Sequence, residues 1–406
     1  MRKSSFLTIS FLLFFLSSHS QESSRKITAE DYQRATQFLH FNTNPLVDRA
    51  NVRPIWLEDG RFWYRLDTAE GTKYVLVNPK TGKKQTAVSK EELLPQQKSG
   101  APDVSRNEIL SPDGKKVVFI KDWNLWLRNL ETGEEKQLTT DGEENFGYAT
   151  DNAGWRKSDR PIVLWSPDSK KLATYKQDQR HISDMYLVET KVGAPELQKW
   201  KYPLPEDEKV IQIKRVIVEV DEPKVIELRV EADPRRGTLC DDISCSGAFD
   251  DNYWNEDATS LAFVSTSRDH KEAKLRIADA QTGEVREVFQ EVVETQYESG
   301  QGSINWKYLP KSNEIIWYSE RDGWGHLYLY DLNSGKLKHQ ITKGDFVVTE
   351  VLHVDEKNRK LYFEANGMEK SRDPYFSHLY KVDFSGNNLK VLTPENANHN
   401  ISFSPN

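Results

Sequence analysis

The sequence predicts an all-β protein, a β-propeller of four-stranded antiparallel blades behind a short N-terminal helix. A strand-turn-strand text recurs every 45 to 55 residues or so, with turn residues at matching places in each copy. The aromatic share, 11% with 11 Trp, suits packed strands better than a helical bundle.

The clearest copy is SPDGKKVVFIKDWNLWLRNLETGEEKQLT, residues 111 to 139. Ser111-Pro112-Asp113-Gly114 is a turn that feeds a mostly apolar strand over Lys115 to Lys121. Asn124 to Asn129 is a second strand, in which Leu125 and Leu127 alternate with Trp126 and Arg128, and Thr132-Gly133 turns the chain into a third. Blade openings stand at 57, 111, 166, 255, 310 and 355, and the closing hairpin returns at 274 to 289, 326 to 342 and 378 to 393, more faintly at 72 to 86. One blade cannot bury both faces alone and leans on its neighbours, so six or more such units are expected around one core. A β-sandwich with chance turns is the competing architecture, and six registers of one pattern weigh against it.

Residues 1 to 20 read as a secretory signal, with Arg2 and Lys3 at the positive end, an apolar run from Phe6 to Leu16 and a Ser18-His19-Ser20 cleavage site. The apolar run is too short to span a bilayer, so an exported protein, periplasmic or extracellular, without a membrane span after signal removal is expected. Cleavage removes two positive charges from a chain of formal charge -7, leaving -9. An acidic, mixed surface argues against nucleic acid as a partner. Residues 21 to 50 form the helical segment, Thr28 to Arg49, with Thr28 as N-cap and Asp31 completing a capping box. Residues 51 to 406 are then the propeller, with a polar connector over 94 to 104.

The interval from 166 to 255 is too long for one blade. Two apolar stretches at 214 to 220 and 224 to 230, joined through Asp221-Glu222-Pro223, complete the third blade and leave 178 to 213 as an insertion, either a functional loop, a decorative one or a hidden blade. Cys240 and Cys245, the two cysteines of the chain, are read as closing a small disulfide loop, because a metal site would need more ligands than the adjacent Asp241 and Asp242.

No Gly-x-Ser-x-Gly elbow, no His-Glu-x-x-His and no phosphate-cradling Gly-rich loop occurs, so no catalytic residue, metal or cofactor is assigned. The stretches YSERDGWGHLYLYD (318 to 331), WSPDSKKLA (165 to 173) and WKYPLPEDE (200 to 208) resemble the N-terminal β-propeller of the dipeptidyl peptidase IV branch of the prolyl oligopeptidase superfamily of serine peptidases. The resemblance implies an eight-bladed propeller followed by an α/β-hydrolase domain with a Ser-Asp-His triad, and removal of dipeptides or tripeptides from peptide N-termini. The triad and the hydrolase domain are absent from these 406 residues, so the propeller is expected to be incomplete at its C-terminus and the hydrolase domain to be a partner outside the chain.

Members of that family hold the substrate amine with a Glu pair just before the WSPD-type strand, where two carboxylates can ion-pair an ammonium. The matching stretch here, residues 147 to 161, has no such pair and offers Asp151 and Asp159 as carboxylates, with Trp155 and Arg156 beside them. A substrate loop and a plain surface loop both remain open there. The reading is thus a substrate-gating propeller of an exported serine exopeptidase acting on peptides with a free N-terminus, with a possible homodimer; a stand-alone peptide- or protein-binding propeller is the alternative.

Overall fold

The computed structural model describes residues 26–43, 46–49, 52–94, 104–150, 158–235, 249–299 and 303–404. They fall into two compact units, Met1–Lys98 with Ser404–Asn406, and Ser99–Phe403.

In the first unit, Thr28 caps helix α1 (Ala29–Thr36) and Asp31 returns the bond, the Asp31 N–H donating to Thr28 Oγ1 at 3.3 Å and the Thr28 N–H to Asp31 Oδ2 at 3.0 Å. The helix expected to run to Arg49 stops sooner. The N–H groups of Gln37, Phe38 and Leu39 donate to carbonyls three residues back, which tightens the last turn, and α2 (His40–Thr43) starts afresh. Strands β1 (Ile55–Trp56), β2 (Phe62–Thr68), β3 (Gly71–Asn78) and β4 (Lys83–Ala87) then form an antiparallel sheet in sequence order. A short helix, α3 (Lys90–Leu93), follows under a Ser89 cap, just ahead of the connector expected over 94 to 104.

Among the described residues the second unit holds six sheets, one of them a lone two-stranded hairpin. The first comprises β5 (Ile109–Leu110), β6 (Lys116–Lys121), β7 (Asn124–Asn129) and β8 (Glu135–Gln137). The next is built on β9 (Phe146–Tyr148), β10 (Leu164–Trp165) and β11 (Lys171–Asp178). The chain then leaves it for a hairpin of its own, β12 (Asp184–Glu189) with β13 (Glu196–Lys201), and returns as β14 (Gln212–Glu219), β15 (Lys224–Glu227) and β16 (Asp233–Pro234). Its order β10-β11-β14-β15 is the one read from the turn at 221–223, and the 178–213 insertion carries a two-stranded hairpin rather than a blade.

Three further four-stranded sheets follow in sequence order. They are β17 (Asn252–Trp254) to β20 (Val285–Val292) through β18 (Ser260–Thr266) and β19 (Glu272–Asp279); β21 (Lys307–Leu309) to β24 (Leu337–Gln340) through β22 (Glu314–Ser319) and β23 (His326–Asp331); and β25 (Val347–Asp355) to β28 (Lys390–Val391) through β26 (Lys360–Asn366) and β27 (His378–Asp383).

The repeated turns have one chemistry. At each SPD-type opening the Ser hydroxyl donates to the Asp two residues on, at 2.6 Å for Ser111–Asp113 and for Ser166–Asp168. The same hydroxyl accepts the N–H five residues ahead, Lys116 at 3.0 Å and Lys171 at 2.8 Å, which starts the strand. At the closing hairpins a side-chain carbonyl or carboxylate, Asn129, Asp279 or Asp331, takes the free N–H groups of the turn. Gly283 and Gly335 end two of these turns with φ of 75° and 65°. A Cβ there would lie 2.3 Å from Glu227 O and 1.9 Å from Val288 O, the backbone of the preceding sheet.

Burial explains the apolar runs. Alternate residues of one strand enter cores on opposite faces: Ile315 and Trp317 of β22 pack with Ala262, Val264 and Leu275, whereas Ile316 and Tyr318 pack with Leu361, Phe363 and Tyr380. Both faces of a middle sheet are therefore buried, and its strands read as continuous apolar text instead of an in-out alternation. The protein is all-β, built of four-stranded antiparallel blades with a few short helices.

Candidate functional site

β9 and β10 both pair with β11, with Tyr148 opposite Lys176 and Leu164 opposite Ala173, and the stretch singled out in the sequence is described on either side of 151–157, at 149–150 and 158–163. Both described parts are clamped. The Ala149 N–H donates to Tyr175 O at 2.9 Å and the Ile162 N–H to Ala149 O at 3.0 Å; Tyr175 Oη donates to Thr150 O at 3.0 Å and Thr174 Oγ1 to Ile162 O at 2.7 Å. Both ends are thus fixed by buried side chains of β11.

Asp159 is exposed on this stretch and lines a cavity of about 290 Å³ with Ile120, Asp122, Trp123, Thr150 and Ser158. Asp151, Trp155 and Arg156 lie outside the described residues, as do Cys240 and Cys245. Of the sequence-predicted site residues, Asp159 alone is therefore placed, and it meets two residues the sequence reading missed, Asp122 and Trp123.

Those two form the hairpin turn between β6 and β7, with φ of 49° and 60°. A two-residue hairpin wants both central residues left-handed, which favours Asn-Gly; Trp in that conformation costs roughly 1–2 kcal/mol. The surroundings enforce it. Asn124 Nδ2 donates to Asp122 O at 2.9 Å and to Gly142 O at 3.2 Å, while its Oδ1 accepts from Gly142 N at 2.9 Å and Thr139 Oγ1 at 3.0 Å. The Tyr148 N–H donates to Trp123 O at 2.9 Å, and Gly142 is indispensable there, because a Cβ would stand 2.2 Å from the same oxygen. The strained turn therefore holds the Trp123 side chain at the cavity. An Asp-Trp pair where the pattern calls for Asn-Gly was the signal available in the sequence.

Beside the cavity lies a charged and aromatic layer. Lys176 Nζ donates to Asp141 Oδ2 at 2.6 Å and rests 3.9 Å from the Phe146 ring centroid, and Arg180 Cζ lies 3.8 Å from the same centroid. Burial raises the Asp141 carboxyl's pKa, but hydrogen bonds from Lys176 and Tyr148 outweigh it and hold the group below its usual range. Burial, then Asp141, pushes the Tyr148 phenol up, so this phenol stays protonated and donates to Asp141 Oδ1 at 2.7 Å. Lys176 is spent on Asp141, which leaves Asp122 and Asp159 as the carboxylates facing the cavity, with the Trp123 indole between carbon and water. That set suits a cationic group with an apolar neighbour. Among the described residues no group of three His, Cys, Asp or Glu could hold a metal ion.

A profile of the family described as the dipeptidyl peptidase IV (DPP IV) N-terminal region matches residues 60–406. A dipeptidyl peptidase 4 of Trichophyton rubrum is 22% identical over 347 residues, covering 78% of this chain and 40% of the relative. A dipeptidyl peptidase 4 of Arthroderma otae is 34% identical over 109 residues, 25% of this chain and 13% of the relative. The crystal structure of Porphyromonas gingivalis dipeptidyl peptidase 4 superposes with a TM-score of 0.58 at 18% identity, over 87% of this chain and 45% of that one, a likeness of fold. The chain spans 40% or less of the length of these curated relatives.

Proposed function

We propose, from the premise that this chain belongs to the dipeptidyl peptidase IV N-terminal region family, that it is the substrate-gating and recognition propeller of an exported serine exopeptidase of dipeptidyl or tripeptidyl type. The nucleophile comes from a serine hydrolase domain outside these 406 residues, none of which forms a Gly-x-Ser-x-Gly elbow. The propeller's part is to exclude folded proteins and to hold a peptide by its free N-terminus, which lowers the barrier by orientation and confers specificity.

One observation supports this reading: Asp159, with Thr150 and Ser158, lines one cavity together with Asp122 and Trp123. A terminal ammonium would lie between the carboxylates and the first side chain against the indole. The segment takes the place of the family's Glu pair, with shorter acids on two separate elements. That same departure favours the second reading, a stand-alone peptide- or protein-binding propeller. Export to the periplasm or the outside rests on residues 1 to 20, and among the described residues no helix is long and apolar enough to cross a membrane. A homodimer would be tested by sedimentation, with the hairpin β12–β13 and its exposed Tyr186, Leu187 and Val188 as a contact to vary.

The test pairs binding with catalysis. The chain alone is expected to bind dipeptide amides with a free amine saturably and their acetylated forms about tenfold more weakly, with D122N and D159N each losing a similar factor. It is expected to show no inhibitor-sensitive turnover of chromogenic dipeptides ending in proline or alanine. Turnover blocked by a serine-directed inhibitor would overturn the external nucleophile, and equal binding of acetylated peptides would overturn amine recognition.

A further inference from the structure

The first unit carries a second cavity, of about 530 Å³, on one face of the sheet β1–β4. Cross-strand partners put its floor there: Ile55 lies opposite Trp63, and Arg65 opposite Tyr74. The Trp63 and Tyr74 rings stand 6.1 Å apart at 40°, and helix α3 with its preceding turn supplies Val88, Ser89, Lys90 and Glu91. Arg53 and Arg65 complete the wall.

Three cations and one carboxylate thus line a cavity in a chain whose formal charge is -7, against the sign of the whole molecule. The lysine is held ready, with Lys90 Nζ 4.9 Å from the Trp63 ring centroid. Arg65 is engaged by Asp67, Nε to Oδ1 at 2.9 Å. Arg53 and Lys90, among the described residues, stand in no ion pair. On the other rim Ile55 and Val88 are exposed, 49% and 73%. Cationic donors beside an aromatic floor and an aliphatic rim ask for an anion with an apolar arm, and the volume is that of a ligand of two residues or so.

We propose that this cavity binds the carboxyl end of a short peptide, the terminal carboxylate between Arg53 and Lys90 and the last side chain against Ile55 and Val88. The site shares no lining residue with the cavity at Asp159 and needs no free amine. Because Lys90 is already positioned over Trp63, little ordering is lost when the carboxylate arrives.

The probe is acetyl-Leu-Leu with a free carboxylate against acetyl-Leu-Leu-amide, titrated calorimetrically into the full chain. The acetyl group removes the ammonium and weakens binding at the cavity with Asp159, while the acid–amide difference and the Arg53 and Lys90 variants report only on this cavity, so either reading can fail without the other. Saturable binding of the acid, about tenfold weaker for the amide, and several-fold losses in R53Q and K90Q are expected. K90E, with the charge reversed, is expected to abolish binding while the thermal transition stays unchanged. Equal affinities for acid and amide, absence of saturation, or R53Q and K90Q variants that bind like the parent would each overturn the proposal.

Discussion

Glu314, 2% exposed, grips Arg359 of the next sheet in a two-pronged contact, Nη1 2.8 Å from Oε2 and Nη2 3.0 Å from Oε1, with Lys338 Nζ 2.6 Å from Oε1. Burial raises the carboxyl's pKa, but hydrogen bonds from Arg359 and Lys338 overcome it and draw it down to about 2. A carboxyl lowered in the folded state adds stability above its unfolded pKa, near 4.5, and that stability is lost as pH falls toward 2. The contribution at neutral pH is on the order of 3 kcal/mol. Glu314→Gln is expected to cost a similar amount in urea unfolding at pH 7, with a gap to the parent that narrows between pH 4.5 and 2. A gap that stays constant over that range would contradict the assignment.

Arg215 is buried with two carboxylates, Nε 2.9 Å from Asp233 Oδ2 and Nη2 3.2 Å from Asp251 Oδ2, and it also donates to Asn252 Oδ1 and Val264 O, each at 2.9 Å. Removing the guanidinium leaves buried negative charge without its partner, so Arg215→Ala is expected to destabilise by about 3–5 kcal/mol. Arg215→Lys rescues little, since a single ammonium cannot reach four acceptors fixed for a planar fork. A lysine variant as stable as the parent would show that charge alone matters there.

How far the sequence could be read follows from which interactions are local. The opening and closing turns were legible because their hydrogen bonds run from Ser111 to Asp113 and from the Glu131 and Thr132 N–H groups to Asn129 Oδ1, within a few residues. The hairpin β12–β13 was not, because Tyr186, Leu187 and Val188 are all exposed, and a ribbon that buries neither face has no period-two pattern. The site was half legible. The stretch at 147 to 161 announced itself beside the WSPD text, but the Asp122–Trp123 turn depends on Gly142, Thr139 and Tyr148, contacts that no local window contains.

The glycines of the closing turns separate conformation from contact. Gly133 and Gly335 both have left-handed φ, 73° and 65°, yet a Cβ on Gly133 meets nothing within 4 Å, whereas one on Gly335 falls 1.9 Å from Val288 O. Gly133→Ala is expected to cost about 1 kcal/mol from backbone strain alone. Gly335→Ala adds displacement of the neighbouring sheet and should cost at least about 2 kcal/mol more. Equal losses in a denaturant titration would mean the sheets separate there at no expense.

Trp123 joins stability to recognition. Its φ of 60° is sustained by the Asn124 network and by the bond from Tyr148 N, and the residue, 38% exposed, lines the cavity with Asp159. Glycine is the residue that the turn prefers, so Trp123→Gly removes strain worth about 1 kcal/mol and should raise the denaturation midpoint. The same change deletes the apolar wall, and affinity for a free-amine dipeptide amide should fall about tenfold. Strain retained for function predicts these opposite signs. A variant that loses stability while binding peptide as well as the parent would show that the indole is there for packing against Gly147, and the cavity would need another wall.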